Sequence, residues 1–295
     1  MARKPKMQLF IVDSFTNKPF GGNPAGVCVF DAPADMGPAR SGVLQRIAAE
    51  LNLSETAFVA PTGPNRYNLR WFTPLAEVDL CGHATLAPAH LLFETGQAIT
   101  GEPIWFDTLS GPLSAVRDDD SAGFITLDFP AEAPLPADAQ PQVPGSLLPA
   151  LGLEAGQVVT VVANRHEWLV HVSSETDLMA VAPNMAVLGM LPVRGVLVTA
   201  PSQADEGKVD FVSRCFYPKL GVPEDPVTGS AHCFLGPYWG QRLGKTRLKG
   251  WQASARGGLV AMGLDTPGRV MLSGQACTVF ELTAKTPVLQ AAAGV

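Results

Sequence analysis

Two short segments of the chain place side chains that can move protons or bind anions beside a glycine. Residues 79–83 read Asp-Leu-Cys-Gly-His, and residues 224–230 read Glu-Asp-Pro-Val-Thr-Gly-Ser. In each case an apolar helical stretch follows the glycine. The start of a helix carries unpaired N–H groups and a partial positive charge, which favour a carboxylate or an enolate oxygen. These residue types therefore favour proton transfer on a small anionic molecule, whereas tight strand-to-helix turns alone would also explain the glycines.

The two segments belong to a longer internal repeat. Arg70-x-Phe72-x-Pro74 precedes the first segment, and the same Arg-x-Phe-x-Pro pattern precedes the second at residues 214–218. The order in both copies is strand, acidic loop, glycine and apolar helix, which indicates a duplicated lobe with a pseudo-twofold axis. If the lobes face each other, both helix starts point into one cleft.

The elements around these segments predict a sheet-rich fold. Short Val- and Ile-rich runs, separated by Gly, Pro and Asn, indicate a largely antiparallel sheet. Residues 42–51 have the apolar spacing of an amphipathic helix. Residues 84–93 and 231–242 are apolar on nearly all sides, so each is expected to be a buried helix inside a curved sheet.

A Pro- and Ala-rich stretch at residues 130–149 divides the chain. We therefore predict an N-terminal lobe over residues 1–129, with 280–295 as a candidate completion, and a C-terminal lobe over 130–279. A short helix is expected near residues 146–151, where this linker ends.

Composition narrows the class of protein. The chain has 295 residues, 46% hydrophobic and 16% charged, and a formal net charge of −6, which disfavours binding to nucleic acid or anionic lipid. No secretory signal or apolar run long enough for a membrane span is evident, and the five scattered cysteines fit reduced thiols. A cytoplasmic protein is predicted, with no nucleic-acid or membrane partner.

At these residues the sequence resembles the PhzF-like isomerase family of phenazine biosynthesis, whose fold is shared with diaminopimelate epimerase. The resemblance extends over nearly the whole chain and is weakest in the linker. The matching segments are residues 12–15, 22–27, 53–59, 70–74, 79–85 and 224–231.

The resemblance implies an α+β fold of two pseudo-symmetric lobes, each a strongly curved, mainly antiparallel sheet wrapped around a central helix. It also implies a homodimer that uses no cofactor. Glu55, in Ser54-Glu55-Thr56, takes the position of the family's acid/base. The implied substrate-binding residues are Gly82, His83, Asp225, Gly229 and Ser230.

A cofactor-independent isomerase that moves a proton on a small carboxylated substrate, in the cleft between lobes, is the leading prediction. One carboxyl group can remove and return the proton if both carbon positions lie on one face, provided that burial raises the pKa of Glu55. His83 is a candidate donor to the substrate, a second acid or a helix-start residue satisfied by backbone. For Asp225, orienting His83 across the cleft and capping the second helix are both open.

Cys81 leaves a second mechanism open. In the related epimerases a thiol precedes the glycine in each lobe, but here Thr228 takes the second position, and a hydroxyl is too weak an acid to replace a thiolate. Cys81 with Glu55 would make a racemase or epimerase base pair; otherwise Cys81 is a small packed residue. A non-catalytic small-molecule binder is the alternative outside the enzymes.

Metal binding and a hydrolase dyad are not expected. The histidines and cysteines lack metal-ligand spacing. Cys81 and His83 are two positions apart at a helix start, a spacing that is expected to point their side chains in different directions.

Overall fold

The computed structural model describes residues 7–117, 122–204, 208–285 and 288. By internal contacts it divides into two compact units: a first unit of Met1–Asp128 with Ser273–Val295, and a second unit of Phe129–Leu272. The sequence predicts that the first lobe ends at residue 129 and that residues 280–295 complete it. From residue 286 onward, only residue 288 of that completing segment belongs to the described residues.

The first part of the chain contains strands β1 (Met7–Ser14) and β2 (Asn23–Phe30), helix α1 (Ser41–Leu51), strands β3 (Glu55–Gly63), β4 (Arg66–Phe72) and β5 (Glu77–Val78), helix α2 (His83–Glu94), and strands β6 (Ile104–Thr108), β7 (Gly111–Val116) and β8 (Ile125–Pro130). The second part contains α3 (Leu147–Leu151), β9 (Val158–Ala163), β10 (Glu167–Val172), α4 (Glu175–Ala180), α5 (Met185–Gly189), β11 (Gly195–Pro201), β12 (Phe211–Tyr217), β13 (Val222–Asp225), α6 (Gly229–Leu243), β14 (Arg247–Gln252), β15 (Gly258–Gly263) and β16 (Arg269–Gly274), and β17 (Ala276–Leu282) follows. Short 3₁₀ turns cover Pro33–Met36, Pro38–Arg40, Ala137–Ala139, Ala155–Gln157 and Pro218–Leu220.

The two units have the same strand connectivity. In the first, β1 and β2 are antiparallel, β2 and β3 are parallel across α1, β3 and β4 are antiparallel, and β4 and β6 are parallel across α2. In the second, β9 to β12 and β14 repeat this series, with α4 and α5 in the place of α1 and α6 in the place of α2. The sheets are therefore mixed: each parallel pair arises where a helix carries the chain back.

The repeat extends to individual side chains. Arg70 donates from Nε and Nη2 to Glu77 at 2.7 Å each, and its ring neighbour Phe72 lies 5.0 Å below the guanidinium. In the second unit Arg214 holds Glu224 at 2.8 and 2.9 Å and lies 5.1 Å over Phe216. Each arginine also donates from Nη1 to a backbone carbonyl. The arginine of each Arg-x-Phe-x-Pro pattern is thus a clamp that fixes β4 to β5, which precedes α2, and β12 to β13, which precedes α6.

The buried helices α2 and α6 each tolerate an internal proline. A proline lacks the N–H that would bond to the carbonyl four residues earlier. For Pro88 that carbonyl, on Ala84, accepts from the indole Nε1 of Trp71 at 3.0 Å. For Pro237 the equivalent carbonyl, on Cys233, accepts from the backbone N–H of Glu132 at 2.9 Å. Neither buried helix therefore leaves this carbonyl unpaired.

Candidate active site

Glu55 is the first residue of β3, and a helix end delivers it there. Helix α1 buries Leu44, Ile47 and Ala48 and stops at Asn52, whose φ of 49° is left-handed and whose N–H bonds to the Ala48 carbonyl. Three residues later the chain enters β3, where Glu55 pairs with Ala25 of β2. The carboxyl group is 19% exposed, so it is accessible but mostly surrounded by protein.

His83, the first residue of α2, lies against Glu55. Its Nε2 is 3.2 Å from Glu55 Oε2, although the N–H direction does not give a well-aligned hydrogen bond. The ring is buried, and burial lowers the pKa of His83 to about 3, so the imidazole is neutral at physiological pH.

A chain of side-chain hydrogen bonds fixes the tautomer of that imidazole. Ser54 donates to Asn23 Oδ1 at 3.2 Å, which directs the amide nitrogen of Asn23 toward His83 Nδ1 at 3.3 Å. Because an amide nitrogen donates, Nδ1 must accept and the proton is assigned to Nε2, on the Glu55 side. Ser14 adds a bond to the His83 carbonyl at 2.8 Å. Asn23 is not among the site residues that the sequence predicts, although it lies in segment 22–27, which matches the PhzF-like family.

Cys81 approaches the same histidine, contrary to the sequence-based expectation. Its Sγ lies 3.5 Å from His83 Nδ1. The expectation was wrong because it applied helix geometry to Cys81, whereas α2 begins at His83 and Cys81 lies in the preceding loop. Thr85 donates to the Cys81 carbonyl and so holds this loop against the first turn.

Glu55, Cys81 and His83 have ligand-type atoms within 4.8 Å of one another. To be held by all three residues, a metal ion would have to bind one ring nitrogen and reach both Glu55 and Cys81 from that side of the ring. Glu55 faces Nε2 while Cys81 faces Nδ1, so the two candidate ligands lie at opposite nitrogens of the ring. The group is better arranged for proton transfer than for metal binding.

In the second unit, the residues before α6 form their own hydrogen-bonded group. Asp225 accepts from the Thr228 hydroxyl at 2.5 Å, and Gln252 bridges them, donating to the Asp225 carbonyl and accepting from the Thr228 N–H. Gly229 and Ser230 open the helix. The structure thus brings Asp225, Gly229 and Ser230 together in one unit and Glu55, Cys81, Gly82 and His83 together in the other.

The glycines at the helix starts are not required by backbone conformation. Gly82 has φ of −71° and ψ of −57°, which any residue can adopt, and Gly229 also lies outside the left-handed region. A tight left-handed turn therefore does not explain either glycine, and close approach of a ligand to the backbone remains the reason that the sequence suggests.

Comparison with known proteins identifies the class. The chain matches the PhzC-PhzF family, described as phenazine biosynthesis-like protein, over residues 12–282. It is 48% identical over 273 residues to an uncharacterized isomerase of Pseudomonas aeruginosa, covering 92% of this chain and 96% of the relative. It is 46% identical over 272 residues to an uncharacterized isomerase of Halalkalibacterium halodurans, covering 92% and 96%.

Solved structures of similar fold agree with this family assignment. A PhzF-family phenazine biosynthesis protein of Enterococcus faecalis superposes with a TM-score of 0.83 at 38% identity, covering 95% of this chain and 99% of that one. A hydroxyproline epimerase of Agrobacterium vitis, at 14% identity and a TM-score of 0.57, shares the fold alone. The α+β fold and the relatives define an isomerase. The chain belongs to the PhzC-PhzF family. Among the described residues, no helix is long and apolar enough to cross a membrane.

Proposed function

We propose that Glu55 moves a proton between two carbons of a small carboxylated substrate, without a cofactor. The observation that carries this is the 3.2 Å approach of Glu55 to a neutral histidine whose tautomer is set by Asn23 and Ser54. A carboxylate beside a protonated imidazole would be held as a base only, whereas beside a neutral imidazole it can accept a proton and give it back.

In the proposed reaction, Glu55 removes a proton from a carbon conjugated to the substrate carboxylate. The electron pair of the broken C–H bond spreads toward that carboxylate, and the Glu55 carboxylic acid returns the proton to another carbon on the same face. The N–H group at His83 Nε2 is a donor for the substrate atom that gains charge. Gly82 and, from the second unit, Asp225, Gly229 and Ser230 are proposed to bind the substrate, with the N–H groups at the helix starts receiving anionic oxygens.

The test is proton NMR in deuterated water with cyclic dienoic acids, hydroxyanthranilate precursors and free amino acids. With the wild type we expect deuterium to enter carbon positions of at least one acid. Glu55→Gln, which keeps shape but cannot take up a proton, should slow this by about 10²–10⁴-fold. A Glu55→Gln protein that retains most of the exchange would remove Glu55 from the mechanism.

Cys81→Ala in the same experiment tests the second candidate function, a racemase or epimerase. The 3.5 Å contact between Cys81 and His83 favours considering a racemase or epimerase in which Cys81 and Glu55 act on an amino-acid α-carbon. Exchange at an α-carbon that needs both residues would establish that alternative, and exchange unaffected by Cys81→Ala would exclude it. Tight binding in calorimetry with no exchange by any compound would identify a non-catalytic binder.

We also propose a cytoplasmic homodimer. All five cysteines are free, three of them buried, which is consistent with a reducing compartment. Light scattering tests the dimer directly: a mass near twice 31.1 kDa is expected, and a monomer at working concentration would contradict it.

A further inference from the structure

A third arginine–glutamate pair, in the second unit, has no counterpart among the described residues of the first. Glu167 is the first residue of β10 and only 1% exposed. Its carboxylate accepts from Arg194 Nη2, from the Tyr217 hydroxyl at 3.1 Å and from Asn164 Nδ2 at 3.1 Å. A buried carboxylate that accepts from three donors holds the guanidinium of Arg194 in a fixed orientation.

Arg194 differs from the two clamp arginines, Arg70 and Arg214, in how its N–H donors are used. Arg70 and Arg214 are 16% and 14% exposed, and donors on Nε, Nη1 and Nη2 of each bond to a glutamate or to backbone carbonyls. Arg194 is 39% exposed, and its Nε is buried without a hydrogen-bond partner. Its Nη2, besides donating to Glu167, has a long contact of 3.5 Å with Ser230 Oγ. A structural clamp such as Arg70 or Arg214 uses its donors on neighbouring protein groups, whereas an anion receptor must keep donors for its ligand.

The repeat shows where this arginine lies. In the strand registers Gly195 faces Glu167 as Glu55 faces Ala25, so Arg194 and Gly195 take the positions of Ser54 and Glu55. A side chain at 195 would clash with the ring of Tyr217, which fills that volume. Ser230 takes the position of His83 at the start of its helix. At the positions where the first unit has Ser54 and Glu55, the second unit therefore has a fixed cation and a glycine.

We propose that Arg194 binds a carboxylate of the substrate beside Ser230 and selects acids over neutral analogues, with Glu167 and Tyr217 as positioning residues. This rests on the proposed function for its substrate, but it concerns binding and not proton transfer. The planar guanidinium, fixed on its Glu167 side, offers its remaining N–H groups to two oxygens of one carboxylate. A hydroxyl from Ser230 adds a third donor.

The test compares 2-aminobenzoate with 2-aminobenzamide, two probes that differ in charge but hardly in shape. Calorimetry measures the affinity of each probe. The NMR resonance of the Arg194 Nε–Hε group, assigned by its loss in Arg194→Lys, reports contact between the probe and the guanidinium directly. We expect the acid to shift that resonance saturably and to bind more tightly than the amide. Arg194→Gln should weaken acid binding at least about tenfold and leave amide binding unchanged. Arg194→Lys should recover part of the loss.

Arg165→Gln is the matched control, because Arg165 is an exposed arginine on the neighbouring turn and its loss changes the net charge equally. If Arg194→Gln fails to fold because Glu167 is left unpaired, Arg194→Gln with Glu167→Gln removes both charges of the pair. No saturable shift of the Arg194 resonance, or equal weakening of acid and amide, would overturn the proposal. Repeating the titration on Glu55→Gln distinguishes proton transfer by Glu55 from carboxylate binding by Arg194. If this variant loses proton exchange but still binds the acid, the loss concerns Glu55 alone.

Discussion

The first and second units share a scaffold and differ in the group beside the helix start. Both have the arginine clamp, the same strand order and a buried helix that opens at a glycine. Beside α2 stand Glu55 and a neutral histidine; beside α6 stand Gly195, the ring of Tyr217 and the Arg194–Glu167 pair. The residues that fix the backbone are therefore the same in both units, whereas the residues near the helix start differ: a carboxylate with a neutral imidazole in the first, and an arginine–glutamate pair with a tyrosine in the second.

The strongest test of the shared scaffold is to break each clamp in turn. Arg70→Met and Arg214→Met each leave a glutamate that is 24% exposed without its main partner. We expect each variant to lose about 3 kcal/mol of unfolding free energy, the low end for a mostly buried pair. Urea denaturation of both variants gives the two losses.

Equal losses support equivalent roles for the clamps. Arg66→Met is the control, because Arg66 forms an ion pair with Asp107 but is 54% exposed, and this variant should lose much less stability than either clamp variant. If one clamp variant lost less than half as much as the other, the clamps would not be equivalent and the duplication would be one of chain path only.

The divergence itself can be tested at the position matching Glu55. Gly195→Ala places a methyl group against the Tyr217 ring, and such overpacking should destabilise the protein by about 2 kcal/mol. In a Tyr217→Thr background, which carries the residue type of the matching position 73 and lacks the ring, the same Gly195→Ala change should cost much less. Thermal unfolding followed by circular dichroism measures both changes.

Gly145→Ala is the control for that experiment, because a Cβ there would meet nothing within 4 Å. A Gly195→Ala protein as stable as this control would show that the volume at 195 is free, and the second unit could then accommodate an acid/base after all.

The smallest expected effect concerns a buried histidine of α6 at a position where α2 has a threonine. His232 matches Thr85: each bonds to the carbonyl of the residue before the helix glycine. Burial lowers the pKa of His232 to about 4, so the folded protein resists protonation that the unfolded chain accepts below about pH 6.5. The contribution of His232 to the free energy of unfolding is therefore fully present above pH 6.5 and is lost as the pH falls toward 4.

Lowering the pH from 6.5 to 5.5 should therefore remove about 1 kcal/mol through His232. His232→Thr should flatten the pH dependence of the urea midpoint in that range, whatever its effect at pH 7.5. His166→Thr, at an exposed histidine, should leave the slope unchanged. An unaltered slope in His232→Thr would mean that other buried histidines, such as His83 and His171, carry the acid sensitivity.

Much of the scaffold could be predicted because its determinants are local in sequence. The Arg-x-Phe-x-Pro pattern indicated the repeat, and all-round apolarity indicated buried helices, which the structure has as α2 and α6. The resemblance to the PhzF-like family, which the family match confirms, named Glu55 and His83, and the structure brings them together.

Other features depended on contacts that no local pattern encodes. Asn23 sets the tautomer of His83 across 60 residues, and Glu132 satisfies the carbonyl freed by Pro237. The approach of Cys81 to His83 depended on loop geometry before α2, which helix periodicity cannot supply. Arg194 and Glu167 lie in different strand regions, and only the register β10–β11 reveals that they meet.

Strand β17, the last strand among the described residues, determines when the first unit can be completed. Strand β17 (276–282) pairs along β1 from Leu9 to Ser14, and Gly274 just before it packs so closely on Phe15 that a larger residue there would collide with the ring. During synthesis, residues 129–272 leave the ribosome as a continuous segment that can begin folding as soon as it emerges. The sheet that carries Glu55 must instead wait, with the outer edge of β1 open, for a strand encoded more than two hundred residues later, as the pairing of Leu9 with Leu282 requires. The half of the molecule that is translated first is therefore the half that is completed last.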